Sequence, residues 1–460
     1  MDEQKKKAIE VLLKRNVLVS PELLENIDKL GIEEIQKARK EPGSVEIQQS
    51  YYEPPKKREC SDFVEYYNDR FRTIERMLAA RPEMSGATSI SRLKLGRQEK
   101  ATIIGLIADK QTTKNEHIML TVEDQTGSAK VLVSKAKQEL YNTAKDCVLD
   151  EIIGITGAYN GELLFAASII HPDVPTEEAK KSPYEGYAVF LSDIHVGSKK
   201  FLGEEFNKFL SWINSELGSE EQKELARKVK YVFVIGDIVD GVGIYPDQDE
   251  ELEEKDIFGQ YKKCAELFSR IPKDKKIIIS PGNHDSMRIS EPQPPFIGEM
   301  FVPLLNLPNV YPVSNPAYVT LDKTADFPGL TVLVYHGYSF DYYVANVESI
   351  RTKGGYDRAD LIMKFLLQRR HLSPTHSATL YIPSATDNLV IRKVPDIFAT
   401  GHIHRSYAAQ YKHVTLISSS CWQGKTSFQE RMGHVPQPAR VPIINLQTRE
   451  VKILKFGAEE

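Results

Sequence analysis

Apolar residues recur at helical spacing near the start of the chain. One stripe runs through residues 9–13 and a second through residues 23–30, each with one apolar position every three or four residues. Residues 20–22 read Ser-Pro-Glu, which is typical of a helix start because serine caps well and the first helical turn tolerates proline. The pattern predicts a small helical domain over residues 1–40.

The periodicity then breaks down. Residues 41–54 are rich in proline, glycine and polar side chains, which is typical of a linker. Helical spacing returns over residues 61–80, with Ser61 as the expected N-cap. We therefore predict a linker that contains a helix over residues 41–84.

Residues 85–175 alternate between apolar and polar positions. Turn sequences at 124–127 and 160–161 separate these runs, and one helix-like stretch, 136–144, lies inside the set. This spacing predicts a five-stranded β-barrel of the OB type. Such barrels bind single-stranded nucleic acid or dock proteins, and the scarcity of aromatic residues favours docking.

Residues 183–455 contain five short apolar runs, and each run ends in a polar cluster. Intervening helical stretches predict an α/β sandwich. The fold class expected for the whole chain is therefore multidomain: an α/β sandwich preceded by a β-barrel and a helical domain. The acidic run at 247–256 is expected to be a solvated loop near the mouth of any site.

Composition excludes little. The 460 residues are 41% hydrophobic and 27% charged, with a net charge of −4. This overall charge does not indicate binding to nucleic acid, and it does not exclude a local basic patch that binds it. The four cysteines form no CxxC pair, which indicates free thiols. Residues 1–15 lack an apolar signal segment, and no apolar run approaches ~18 residues. We expect a cytoplasmic, nucleoid-associated protein without a membrane segment.

The polar clusters carry the candidate chemistry. Five of the eleven histidines fall within them, and loops at the carboxyl ends of strands bring distant residues together in α/β sheets. The candidate metal ligands are Asp193, His195, Asp237, Asn283, His336, His402 and His404. Most of these motifs are weak alone, but all five in this order indicate a metal centre.

Two divalent ions about 3.5–4 Å apart repel each other, so a carboxylate is expected between them. Asp237 is the expected bridge. The first ion is assigned to Asp193, His195 and His404, and the second to Asn283, His336 and His402. Imidazole, carboxylate and amide ligands favour Mn²⁺, Fe or Zn²⁺ over Ca²⁺ and argue weakly against Mg²⁺ alone. Mn²⁺ is our expectation.

His284 is expected to act on substrate rather than on metal. It lies beside Asn283, where it can contact the phosphate group of a substrate bound at the two ions. From there it can stabilise or protonate the oxygen that leaves the phosphorus. Asp285 either orients His284 or caps a helix. The neighbouring glycines (Gly236, Gly282, Gly337 and Gly401) are expected to allow sharp turns or close backbone approach.

Residues 187–430 resemble the calcineurin-like metallophosphoesterases. Longer strings narrow the resemblance: LSDIHVGS (191–198), GDIVDGVGIYP (236–246), RRHLSPTH (369–376) and CWQGKTSFQERMGHVPQPARVP (421–442) are similar to the small subunits of archaeal family D DNA polymerases. The resemblance implies a 3′→5′ exonuclease that proofreads DNA for a separate large polymerising subunit. Related eukaryotic subunits have lost metal ligands, whereas every ligand position is filled here.

The resemblance also implies the partners: the large subunit, the primer 3′ end or a single DNA strand, and the sliding clamp. Two alternatives remain open, namely a phosphoesterase for other substrates and a non-catalytic assembly subunit. Lys199 and Lys200 are solvated or contact phosphate. Trp422, Phe428 and Arg431 pack in the fold, contact a subunit or touch DNA.

Overall fold

The computed structural model describes residues 43–431 and 435–457, so the helical domain expected at 1–40 lies outside the described residues. The first described element is strand β1 (Val45–Ser50). The prediction of a linker is wrong for Val45–Ser50, because these residues form a strand of a sheet. Because β1 is an edge strand whose residues are mostly half-buried, its sequence VEIQQS needs little apolar character.

Helix α1 (Cys60–Ala79) occupies the position expected from the periodicity, with a different cap. A capping box joins Glu59 and Asp62, so Ser61 lies inside the first turn. Arg70 is fully buried and donates from Nε to Asp387 Oδ2 at 2.6 Å. This ion pair, between groups 317 residues apart, ties the helix to the body of the protein.

Five strands close into a barrel in the region where the sequence predicts one. They are β2 (Gln98–Thr112), β3 (Ile118–Asp124), β4 (Gly127–Val133), β5 (Ile152–Tyr159) and β6 (Leu163–Ile170). Their order is β2-β3-β4-β6-β5, and β5 pairs back onto β2. Helix α2 (Ile90–Leu93) precedes the barrel and α3 (Gln138–Lys145) connects β4 to β5. The inward-facing residues alternate along each strand and form one apolar core.

Two six-stranded sheets make up the remainder. The first has the order β10-β9-β8-β7-β16-β17 and the second β1-β11-β12-β13-β15-β14. Their strands are β7 (Tyr187–Leu191), β8 (Val229–Ile235), β9 (Lys276–Ser280), β10 (Val310–Pro312), β11 (Ala317–Leu321), β12 (Leu330–Tyr335), β13 (Ile397–Thr400), β14 (Tyr407–Tyr411), β15 (Val414–Ser418), β16 (Arg440–Asn445) and β17 (Val451–Lys455).

Helices cover the outer faces of both sheets. They are α4 (Gly203–Ile213), α5 (Glu220–Arg227), α6 (Ile257–Phe268), α7 (Val302–Leu305), α8 (Phe340–Asn346), α9 (Glu348–Thr352), α10 (Ala359–Arg369) and α11 (Ser427–Arg431). Short 3₁₀ turns occur at Pro82–Met84, Gln248–Glu250, Glu299–Phe301, Gly355–Asp357 and His376–Ala378. None of the helices within the described residues combines the length and apolarity needed to cross a bilayer.

The two sheets pack face to face and the closed barrel is separate from them. Together they confirm the prediction of a multidomain mixed α/β protein. Phe190 and Phe233 of the first sheet stack with ring centroids 5.0 Å apart, and they share a core with Val319 and Val334 of the second. Because β7, β8, β9, β12 and β13 are covered on both faces, they are almost wholly apolar rather than alternating. Their polar clusters follow where each strand ends.

A buried ion pair joins the barrel to the sandwich. Glu151, which precedes β5, contacts the guanidinium of Arg369 at the end of α10. Burial opposes ionisation of Glu151, but Arg369 and His171 outweigh it and lower the pKa of this carboxyl from 4.5 to about 2. The folded state therefore stabilises the ionised carboxylate.

Glu151→Gln should lower the free energy of unfolding at pH 7 by about 3 kcal/mol, because the variant loses the ionised carboxylate whose pKa Arg369 holds at about 2. The folded pKa is the lower one, so this stabilisation is present above pH 4.5 and declines as pH falls towards 2. Urea unfolding of both proteins at several pH values measures it. Glu162→Gln, at an exposed barrel position, is the control; a difference that is constant with pH would contradict the prediction.

Candidate metal centre

The candidate site lies where five strands from the two sheets end. Asp193, His195, Asp237, His402 and His404 all adopt left-handed backbone conformations, with φ of 50°, 53°, 51°, 70° and 55°. Residues other than glycine rarely adopt this region, and such strain is concentrated at functional sites. The tight turns aim side chains from separate strands into one cleft.

Three of the flanking glycines, Gly236, Gly282 and Gly401, are required by close approach, as the sequence predicts. A Cβ at Gly236 would lie 2.3 Å from His336 Nδ1. A Cβ at Gly401 would lie 1.8 Å from Ser192 Oγ, and a Cβ at Gly282 would lie 2.3 Å from Asp237 Oδ1. Any side chain at Gly282 or Gly401 would displace a carboxylate or its supporting hydroxyl. These glycines therefore set how closely the loops converge.

The first group unites the residues expected to hold one ion. His404 Nε2 lies 3.2 Å from Asp193 Oδ1 and also 3.2 Å from His195 Nε2. All three side chains are buried, and among the described residues Asp193 Oδ1 has no hydrogen-bond partner. Two imidazole nitrogens and an unsatisfied carboxylate oxygen that face one point form a donor set suited to a transition-metal cation.

The second group unites the residues expected to hold the other ion. His336 Nε2 lies 3.0 Å from Asn283 Oδ1 and 3.3 Å from Asp237 Oδ2. A nitrogen of His402 lies within 4.8 Å of the corresponding atoms of Asp237 and His336. His336 Nδ1 donates to the carbonyl of Ile235 at 2.8 Å, which directs Nε2 into the group.

Charge compensation links the two groups. Burial would raise the pKa of Asp237, but His336 and His284 outweigh it and hold that pKa well below its usual range. Burial would likewise lower the pKa of His336, but Asp237 and Asp193 raise it to about 10. The carboxylates are therefore ionised, as ligands of a cation must be, and a cation that binds displaces a proton from His336.

His284 lies at the edge of both groups. Its ring centroid is 4.7 Å from that of His195, and its backbone N–H donates to Asp237 Oδ1 at 2.7 Å. The Nδ1 atom donates to the carbonyl of Asp240 at 2.8 Å, so Nε2 is the nitrogen available to a substrate. Burial lowers the pKa of His284, and Asp237 opposes that shift.

Both sequence hypotheses for Asp285 are wrong. Its Oδ2 accepts from the backbone N–H of Gly282 at 2.8 Å and its Oδ1 accepts from Tyr261 at 3.3 Å. No helix of the described residues begins there, and the Asp240 carbonyl, not Asp285, contacts the ring of His284. Burial and the charge of Asp237 raise the pKa of Asp285 to about 8. Its carboxyl holds the loop that carries Asn283.

Sequence reasoning missed Asp240. This fully buried carboxylate accepts from His195 Nδ1 at 2.9 Å and from Gln423 Nε2 at 2.8 Å. It therefore orients a candidate ligand through its side chain and His284 through its carbonyl. The available signal was a second aspartate three positions after Asp237 in GDIVD, at the same strand end.

Two further side chains orient the histidines of the last motif. Asp341 Oδ2 accepts from His402 Nε2 at 3.1 Å, so His402 presents Nδ1 to the centre, opposite to the orientation of His336. Gln429 Nε2 donates to His404 Nδ1 at 3.0 Å. Carboxylate and amide partners of this kind fix the ring orientation of ligand histidines. Neither was identified from the sequence.

The remaining candidates have mostly structural contacts. Trp422 is buried against Phe206, with ring centroids 4.9 Å apart, and its backbone N–H donates to the Asp193 carbonyl, which supports the packing interpretation. Lys199 Nζ donates to the Glu250 carbonyl at 2.7 Å, within the acidic loop, while Lys200 is exposed. The side chains of Phe428 and Arg431 lie outside the described residues.

Comparison with known proteins identifies close relatives. Residues 188–409 match the family model of the B subunits of DNA polymerases alpha and epsilon. The chain is 40% identical, over 87% of its length, to the DNA polymerase II small subunit of Methanothermobacter thermautotrophicus, covering 80% of that protein. It is 38% identical over 84% of its length to the Methanocaldococcus jannaschii protein of that name, covering 64% of it. The Archaeoglobus fulgidus protein of that name is 36% identical over 86% of this chain and is covered to 77%.

Asp240→Asn should weaken binding of Mn²⁺ by roughly 10- to 100-fold, because the candidate ligand His195 loses its anionic partner. Equilibrium dialysis of the purified chain with Mn²⁺ measures the affinity. The matched control is Asp326→Asn, which removes a carboxylate at an exposed position. Equal affinities for the two variants would show that Asp240 does not support a metal centre.

Proposed function

The chain belongs to the family of archaeal DNA polymerase II small subunits, and we propose that it is the 3′→5′ exonuclease that proofreads for a large polymerising subunit. The observation that carries the proposal is the convergence of all eight site residues expected from the sequence. Seven of them supply carboxylate, imidazole and amide donors, and the eighth, His284, borders both donor groups. A centre of this kind suits phosphodiester hydrolysis.

The donor sets are matched to two divalent ions, and we propose Mn²⁺. Asp193, His195 and His404 would hold one ion, and Asn283, His336 and His402 the other. Asp237 interacts electrostatically with His336 of one group and His195 of the other, which suits a carboxylate shared between two ions. When bound, such a pair supplies an activated water and neutralises charge that develops on phosphate oxygens.

The protein's own groups would position the substrate and handle protons. His284 has Nδ1 engaged by the Asp240 carbonyl, so its Nε2 edge would contact the phosphate or the leaving 3′-oxygen. Its lowered pKa, caused first by burial, favours the neutral ring at pH 7. We propose that His284 Nε2 takes up a proton from solvent as the anionic phosphate binds and then donates that proton to the leaving oxygen.

We propose that the barrel is of the OB type and docks the large subunit. The strand order β2-β3-β4-β6-β5 and the helix between β4 and β5 support this assignment. Of the large apolar side chains exposed on the described barrel region (Leu95, Leu149 and Phe165), one is aromatic. A stacking platform for bases needs several such rings, so protein docking is favoured. The sliding clamp is a further proposed partner.

His336→Ala should reduce degradation of 3′-labelled single-stranded DNA in Mn²⁺ by roughly a hundredfold or more, because a ligand that touches both Asn283 and Asp237 is lost. Release of labelled nucleotide measures the rate, and circular dichroism checks the fold. His376→Ala, at an exposed histidine outside the site, is the control.

Two alternative functions give different outcomes in the same experiment. Hydrolysis of an aryl phosphodiester without degradation of DNA would identify a phosphoesterase with another substrate. Wild-type protein that loads Mn²⁺ but hydrolyses neither substrate, alone or with the large subunit, would identify an assembly subunit. Full activity in purified His336→Ala would contradict the assignment of the centre.

A further inference from the structure

A cavity of about 430 Å³ adjoins the metal centre. We call it the Ile403 cavity, after the residue that lies between the two histidines of the last motif and forms part of its wall. Its lining includes Arg351, Thr352, Tyr356, Asp357, Ile403 and Arg405. The cavity is near the centre on two counts: Ile403 lies between His402 and His404 in the chain, and Tyr356 shares the carboxylate of Asp341 with His402.

The charge of the lining favours an anion. Arg351 and Arg405 face one lining carboxylate, Asp357, which pairs with Arg405 at 2.5 Å. Arg351 donates from Nη1 to the Ala345 carbonyl at 2.9 Å, which fixes its guanidinium at the edge of the cavity. Guanidinium groups bind phosphate oxygens through several parallel donors, so these two side chains suit a DNA backbone phosphate.

The wall of the cavity is also connected to the centre through hydrogen bonds. Tyr356 donates to Asp341 Oδ1 at 2.9 Å, and the other oxygen of the same carboxylate accepts from His402 Nε2. The ring of Tyr356 is thereby held in place at the cavity wall. This half-buried ring offers a surface suited to the face of a base or sugar.

We propose that the Ile403 cavity receives one unpaired nucleotide of a DNA strand whose neighbouring phosphate lies at the metal centre, with Arg351 and Arg405 contacting the backbone. The volume lies in the range of roughly 300–1,000 Å³ that is usual for small-ligand sites, which accommodates a single nucleotide. This inference rests on the proposed nuclease function, and it specifies that the strand must be single or frayed where it enters.

The test uses the full chain and a fluorescein-labelled tetrathymidylate with EDTA present, so that binding is measured without hydrolysis. Arg351→Ala should raise the Kd from fluorescence anisotropy roughly tenfold, because a charge-assisted contact is lost. Arg351→Lys should recover part of the affinity since it keeps the charge. Arg227→Ala, an exposed arginine on α5, is the control and should bind as the wild type does.

A second measurement separates the cavity from the centre. With Mn²⁺, the ratio of KM for a single-stranded oligonucleotide to KM for bis(4-nitrophenyl) phosphate should rise roughly tenfold in Arg351→Ala, because the aryl ester has no neighbouring nucleotide. The same effect on both substrates would overturn the proposal.

Two further results would also overturn the cavity assignment. One is a wild-type protein that does not bind the tetranucleotide, and the other is a duplex that binds as tightly as the single strand. Failure of the proposed function is distinguishable, because it appears as wild-type binding of the strand without hydrolysis of any substrate in Mn²⁺.

Discussion

Burial of two like charges is the constraint on which the site depends. Asp193 and Asp237 are both almost completely removed from solvent, and each raises the other's cost of ionisation. Ionised carboxylates are stable in such a place only when opposite charge or hydrogen-bond donors surround them. The histidines supply that compensation here, and divalent cations would supply it more strongly. The two buried carboxylates therefore require positive charge beside them.

The loops that follow the strands bring their backbones close together at the site. Left-handed turns at Asp193, Asp237 and His402 project side chains from three strand ends into a single volume. Glycines at 282 and 401 allow the loops to approach until carboxylates and backbone touch. Strain of this kind persists only when the surrounding structure over-determines it. The apolar core between the sheets and the helices outside them provide that rigidity.

The outer contacts of the histidines connect the site to the rest of the fold. Asp240 orients His195, Asp341 orients His402, and Gln429 orients His404. Asp240 lies in the loop that follows β8, Asp341 in helix α8 and Gln429 in helix α11, so the geometry of the centre depends on the packing of the whole sandwich. Asp341 also contacts the wall of the Ile403 cavity through Tyr356. The wall of the proposed nucleotide site and the candidate ligand His402 thus share one hydrogen-bonded path.

The sequence by itself determined the mixed α/β architecture and identified eight candidate site residues, which the fold brings together. Both can be recognised from short stretches of the sequence, because each apolar strand and the polar motif at its end lie within a few consecutive residues. The tertiary structure alone decided the edge strand Val45–Ser50, since its pairing partner lies more than 260 residues away. It also decided the roles of Asp240, Asp285 and Asp341. Their carboxylates differ only in which distant groups surround them, and burial and contact across the fold set that environment.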